Sequence, residues 1–255
     1  MTGISAPASL SPRAPLMANL PAPHVIDLHG VARRFGRHWP LRHVSLRVEP
    51  GEGVALMGRN GAGKTTLLRV ISTALRATKG TGTICGHDLR HEPDLVRGEI
   101  AVLSYAPGLY PDLTAWENLA FSLRMYGLEP HDATIRAALE RVGLHKSADE
   151  RVRFFSSGMT RRVALARLFL RDFSLLLLDE PYASFDADGI ALLNDFCLEA
   201  RERGAAVVVA THDPARSRAI ADRCVFIRDG LLDEIPWPTD LTRVDVSPDA
   251  AEASA

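Results

Sequence analysis

The sequence predicts an α/β fold built on a parallel sheet, with an antiparallel β subdomain on the N-terminal side and a helical subdomain inserted in mid-chain. Three observations carry this. Alternating apolar segments fill 24–49. Short apolar runs, Val54–Met57, Leu175–Leu178 and Ala206–Ala210, are separated by segments of helical periodicity. The stretch from about Leu89 to Glu150 is helical in pattern.

Taken in order, Val25–Leu28 and then Val44, Leu46 and Val48, alternating with Ser45 and Arg47, read as half-buried antiparallel strands. Pro50-Gly51-Glu52-Gly53 turns the chain into the buried strand Val54–Met57, and a helix is expected from near Gly63 to about Leu75. Trp116–Tyr126 and Ala133–Val142 carry apolar residues at three- and four-residue spacings and read as helices. A helix from Gly158 to about Leu170, the strand Leu175–Leu178, a helix over Ile190–Arg203 and the strand Ala206–Ala210 complete the pattern.

These elements make one domain over 24–240, with the helical subdomain at about 89–165. The first 23 residues hold Pro7, Pro12, Pro15, Pro21 and Pro23 among alanines and serines, which predicts a disordered lead in which Met17 is an alternative start. Residues 241–255, mostly Ala, Ser, Asp and Glu from Ser247 on, predict a flexible tail. No internal repeat is evident.

A chain of 255 residues with 46% apolar composition can bury one sizeable core. Its formal charge of -1, from 30 basic and 31 acidic residues, gives no global reason to expect nucleic acid as a partner. Cys85, Cys197 and Cys224 are far apart and form no CxxC pair, so neither a zinc site nor a disulfide framework is indicated, and reduced thiols in the cytoplasm are the plain reading. The apolar runs are far shorter than the ~20 residues that span a bilayer as a helix.

The most specific motif is GRNGAGKTT, Gly58, Arg59, Asn60, Gly61, Ala62, Gly63, Lys64, Thr65 and Thr66, set between a strand and a helix. It matches the P-loop pattern. Glycines let the backbone wrap so that its N–H groups face phosphate, and the helix behind adds its positive end. Lys64 is expected on the β and γ phosphates, Thr65 on Mg2+ and Thr66 on the α phosphate. Leu175–Leu178 delivers Asp179 to the sheet's C-terminal edge, beside Thr65 and the metal. Glu180 follows as candidate general base.

FSSGMTRRVALARLFL, Phe155–Leu170, resembles the LSGGQ-type signature and following helix of ABC ATPases. The resemblance covers about Val25–Leu232 and implies a P-loop NTPase (RecA-like) core that hydrolyses Mg-ATP. By it, Ser157 and Gly158 contact a γ phosphate, Asp186 in YASFD belongs to the loop facing a second subunit, His212 in Thr-His-Asp is the switch histidine, and Phe35 stacks on adenine. Trp39 is a second aromatic candidate there. It further implies a second ATPase subunit, a homodimer, because each signature completes the other subunit's site. A separate integral membrane permease subunit then holds the chain to the inner face of the cell membrane, with no nucleic acid expected.

Two features depart from or narrow that pattern. Tyr105 stands where the family carries a metal-ligating glutamine, and the chain contains no glutamine. LYPDLTAWENL, Leu109–Leu119, with FSSGM, is similar to ATP-binding subunits of haem exporters in cytochrome c maturation and of ABC-2 multidrug or lipid exporters. A soluble ABC ATPase acting on DNA or ribosomes is the alternative class. The inserted coiled coil, the zinc cysteines or the second cassette of those relatives have no counterpart here. An inactive regulatory cassette is disfavoured by Lys64, Asp179, Glu180 and His212 standing together.

Overall fold

A computed structural model describes residues 24–237; the expected lead with Met17 and the expected tail lie outside them. Chain order sets up two sheets. Strands β1 (Ile26–Phe35) and β2 (His38–Val48) form an antiparallel pair, in which Ile26 faces Val48 and Leu28 faces Leu46. Strand β3 (Gly53–Met57) leads into helix α1 (Lys64–Ile71). Strands β4 (Lys79–Ile84) and β5 (His87–Asp88) return to β1, giving a four-stranded antiparallel sheet of order β2-β1-β4-β5.

Helix α2 (Pro93–Glu99) then runs into β6 (Ile100–Leu103), followed by α3 (Ala115–Met125), α4 (Asp132–Arg141), two short 3-10 turns and α5 (Ser157–Leu168). Strand β7 (Leu175–Asp179), α6 (Ala187–Glu202), β8 (Ala206–Ala210), α7 (Pro214–Ser217), β9 (Arg223–Arg228) and β10 (Leu231–Ile235) complete the described chain. The second sheet runs β10-β9-β3-β8-β7-β6, parallel except for the β9–β10 hairpin.

The second sheet's central strands β3, β7 and β8 are buried along their whole length, which is why Val54–Met57, Leu175–Leu178 and Ala206–Ala210 are unbroken apolar runs. Side chains alternate between two cores. Val54 and Leu56 of β3 join Leu67, Leu68 and Ile71 of α1 beneath the antiparallel sheet. Ala55 and Met57 join Val163 and Leu165 of α5 and Leu193 and Phe196 of α6.

Several elements differ from the periodicity reading. The first helix ends at Ile71 rather than near Leu75, because Thr73 turns into the left-handed region (φ 60) and the Leu75 N–H closes back on the Arg69 carbonyl. Helix α6 starts at Ala187 rather than Ile190, since the Asp186 carboxylate caps it by accepting from the Gly189 N–H at 2.9 Å. The helical stretch from about Leu89 is interrupted by β6, which belongs to the central sheet. The β9–β10 hairpin carries an Asp229-Gly230 turn with both φ values positive (50 and 79), a local signal the period count passes over.

Candidate active site

Four chain segments meet at the C-terminal edge of the parallel sheet. The first is the loop between β3 and α1. Gly63 precedes the helix at φ 114, and a Cβ there would lie 2.5 Å from the Pro40 carbonyl oxygen. Gly58 (φ 148) is equally confined, 2.6 Å from the Ile227 carbonyl oxygen. Only glycine fits a loop pressed this closely against β2 and β9.

Lys64 is buried, and its Nζ donates to the Gly58 carbonyl at 2.7 Å and the Arg59 carbonyl at 3.4 Å, 4.0 Å from Glu180 Oε1. Burial pulls its pKa down, against the opposing pull of Glu180 and Asp179. The ammonium thus sits folded into the loop it serves.

The second segment is the end of β7. Thr65 Oγ1 donates to Asp179 Oδ1 at 3.1 Å, so a hydroxyl from α1 and a carboxylate from β7 share one point. Burial raises the Asp179 carboxyl above its ordinary value of 3.8, although the Thr65 hydrogen bond works the other way. A desolvated carboxylate beside a neutral oxygen donor suits a hard divalent cation, the charge that would offset its burial. Among the described residues no group of three or more His, Cys, Asp or Glu is placed to hold a metal.

Glu180 follows in the left-handed region at φ 44, a strained backbone for a non-glycine residue, with its N–H bonded to the Ala210 carbonyl at 2.8 Å. The third segment is the end of β8, where buried Thr211 leads into His212. His212 Nδ1 lies 3.0 Å from Glu180 Oε2. Toward an ionised Glu180, which only accepts, Nδ1 carries the hydrogen of this bond.

The fourth segment follows β6. Tyr105 is 69% exposed and lines an open groove of about 860 Å³ whose floor includes Thr65, Asp179 and Glu180 and whose walls include Tyr110, Phe121, Met125 and Tyr126. The Tyr105 side chain therefore faces the same groove as the Thr65–Asp179 pair.

Ser157, Gly158, Asp186, Phe35 and Trp39 have contacts of their own. Ser157 is the exposed first residue of α5, and Ser156 is its N-cap, accepting from the Met159 N–H at 3.2 Å. Gly158 sits against the Ser184 carbonyl. Asp186 is engaged as the α6 cap and pairs with Arg162 at 2.7 Å; the Gly189 N–H, then Arg162, hold its carboxyl below the usual range. Phe35 ends β1 43% exposed, with the Arg33 guanidinium 4.5 Å from its ring centre. Trp39 lies under Arg34 and Lys79.

Periodicity passed over Arg161. Its side chain is 4% exposed and reaches the Ser104, Tyr105 and Glu180 carbonyls. The available signal was a cation at 161 on the helix stripe it shares with Ala164, Leu165 and Leu168.

The sequence pattern of the ABC transporter family matches residues 41–183, which contain the glycine loop, the Ser-Ser-Gly turn, Asp179 and Glu180. This chain belongs to that family. Within it, the chain is 39% identical over 189 residues to the cytochrome c biogenesis ATP-binding export protein CcmA 2 of Cupriavidus metallidurans, covering 74% of this chain and 89% of the relative. It is 35% identical over 227 residues to the CcmA of Xylella fastidiosa, covering 89% and 97%. The ABC transporter ATP-binding protein NatA of Bacillus subtilis is 35% identical over 193 residues, covering 74% and 78%. A solved ATP-binding subunit of an ABC transporter superposes with a TM-score of 0.75 at 26% identity, covering 83% of this chain and 90% of that one. The ABC fold and ATP as the nucleotide follow, and the chain is an ABC-type ATPase. Among the described residues no helix is long and apolar enough to cross a membrane.

Proposed function

We propose that this ABC ATPase drives an exporter as a Mg2+-dependent homodimer, working through a separate integral membrane subunit on the cytoplasmic side of the cell membrane. The observation that carries the proposal is the convergence of Lys64, the Thr65–Asp179 pair and the Glu180–His212 pair at adjacent strand ends.

In this reading the amides of 58–66 cradle the phosphates, and Lys64 exchanges the Gly58 and Arg59 carbonyls for β and γ oxygens. Thr66 donates to the α phosphate, and Phe35 supplies a stacking face for adenine. Thr65 and Asp179 hold Mg2+, which supplies charge neutralisation at the phosphate oxygens. Glu180 accepts a proton from the attacking water as its oxygen bonds to the γ phosphorus and the bond to the β-phosphate oxygen breaks. His212 donates to the Glu180 carboxylate through Nδ1 and, with its second ring nitrogen also carrying hydrogen, donates from Nε2 to a γ-phosphate oxygen. Exposed Ser157 and half-buried Gly158, together with the Asp186 loop, are then the contributions made to the other subunit's site. The domain is taken as 24–240, with the helical unit between about 89 and 165.

The aromatic groove at Tyr105 supports a docking place for the membrane subunit, because its floor is the hydrolytic site itself. Cargo follows that subunit. Haem for cytochrome c maturation is the favoured cargo, supported by the two CcmA relatives and the Leu109–Leu119 motif. NatA keeps an ABC-2 type exporter of drugs or lipids as the second reading.

Glu180→Gln should bind ATP, accumulate as a nucleotide-bound dimer and lose about 10²- to 10⁴-fold in turnover, whereas Lys64→Ala should weaken ATP binding itself. Wild-type turnover in Glu180→Gln would remove Glu180 as the base. Co-purification with ribosomes and with no integral membrane protein would remove the exporter reading.

A further inference from the structure

Arg161 is a buried cation that, among the described residues, pairs with no carboxylate. Its guanidinium spends its hydrogens on three main-chain carbonyls from two separate segments. Nη1 donates to the Ser104 carbonyl and, at 3.2 Å, to that of Tyr105; Nη2 donates to the Glu180 carbonyl at 3.2 Å. The Nε hydrogen has no hydrogen-bond partner among the described residues. Burial is the larger influence on this guanidinium, and Asp179 nearby partly offsets it. A charge held dry in this way, next to a catalytic edge, costs stability unless the contacts it makes are worth having.

What it contacts explains the cost. Glu180 lies at φ 44, and such backbone persists only when its surroundings hold both ends. The Ala210 carbonyl holds the N–H of Glu180, and Arg161 holds its C=O. The same planar fork grips the two residues whose side chains line the open groove, and Tyr105 is exposed there. Because the guanidinium is rigid and planar, a shift of the 104–105 main chain tilts the Glu180 peptide with it.

We infer that Arg161 is the positioning residue that sets the Glu180 carboxylate and ties it mechanically to the Tyr105 segment of the groove. The inference rests on the hydrolytic reading of Glu180, and the two fail separately. Arg161→Ala in the full-length ATPase should lower kcat about 10- to 100-fold, the scale of a misplaced catalytic group, with ATP affinity within about twofold of wild type. Added guanidinium chloride, at millimolar concentration, should restore part of that kcat, and should do nothing for Glu180→Gln. Amide hydrogen exchange should rise together at 104–106 and at 180–183 while α6 stays protected.

Arg161→Lys covers the case in which the alanine variant does not fold. It keeps the charge but cannot reach all three carbonyls, so its kcat should fall with ATP affinity retained. Full turnover in Arg161→Lys overturns the clasp. So does a parallel loss of kcat, ATP affinity and Tm without guanidinium rescue, which would make Arg161 merely structural. If Glu180→Gln is active, the base assignment fails whatever Arg161 does.

Discussion

At the scale of single residues, the site places charge where folding alone would not. Burial raises the Asp179 carboxyl above 3.8 while Thr65 resists the shift. A carboxyl whose folded pKa is raised weighs against the fold once the pH exceeds its unfolded value, so at neutral pH Asp179 is a liability until a cation arrives. Asp179→Asn should therefore raise the stability of the nucleotide-free protein by about 1 kcal/mol, or roughly 2–4 °C in Tm. Mg2+-dependent hydrolysis should disappear in the same variant. Calorimetry in the absence of nucleotide reads the first effect, and an unchanged or lower Tm would contradict it.

At the scale of elements, the helices are defined as much by their first turns as by their apolar stripes. Thr114 and Glu117 form a reciprocal capping box at the start of α3, and Asn118, buried one residue later, ties down the loop before it. The Asn118 side chain accepts from the Tyr110 N–H at 2.8 Å and donates to the Tyr110 and Thr114 carbonyls at 3.0 and 2.9 Å. Asn118→Ala strands these main-chain groups and should cost about 2–3 kcal/mol. It should also raise exchange at Tyr110 on the wall of the groove, which amide exchange would detect. The motif LYPDLTAWENL is thus a folded loop as well as a mark of relationship.

Such side-chain locks explain which boundaries the sequence revealed. Runs like Leu175–Leu178 and Ala206–Ala210 are legible because a strand buried on both faces admits nothing polar. The ends of α1 and α6 were not, since they are decided by Thr73 entering the left-handed region and by the Asp186 cap. Within the site, Lys64, Thr65, Asp179 and Glu180 were readable from spacing because neighbouring strand ends bring them together. Arg161 was not readable, for its partners are main-chain carbonyls that carry no residue identity.

At the scale of the molecule, the sheet has a chemical edge and a structural one. On the edge opposite the nucleotide loop, Asp222 accepts from the Gly53 N–H at 2.9 Å and pairs with Arg201, which also donates to the Gly51 and Ile220 carbonyls. Burial works to raise the Asp222 pKa, but Arg201 and then Gly53 outweigh it and the net shift is downward. The stability this supplies is present above the unfolded-state pKa and is lost as pH falls through the depressed folded value. Asp222→Asn should cost about 1 kcal/mol at neutral pH, discounted for its exposure, and should flatten the acid side of the Tm profile. Its kcat should stay at the wild-type level, because the hydrolytic groups are at the other edge. A fall in kcat at full folding would contradict this separation.

The strand order β9-β3-β8 also bears on how the protein is made. Strand β3, which ends in the nucleotide loop, is synthesised early, yet both of its neighbours come from 206–228. Gly58 and Gly63 are shaped against Ile227 as well. A growing chain therefore cannot complete the packing around this loop until β9 has left the ribosome, and pairings of such sequence separation are slow to close. Synthesis itself delays the first ATP: the enzyme acquires its nucleotide only after its last central strands are in place.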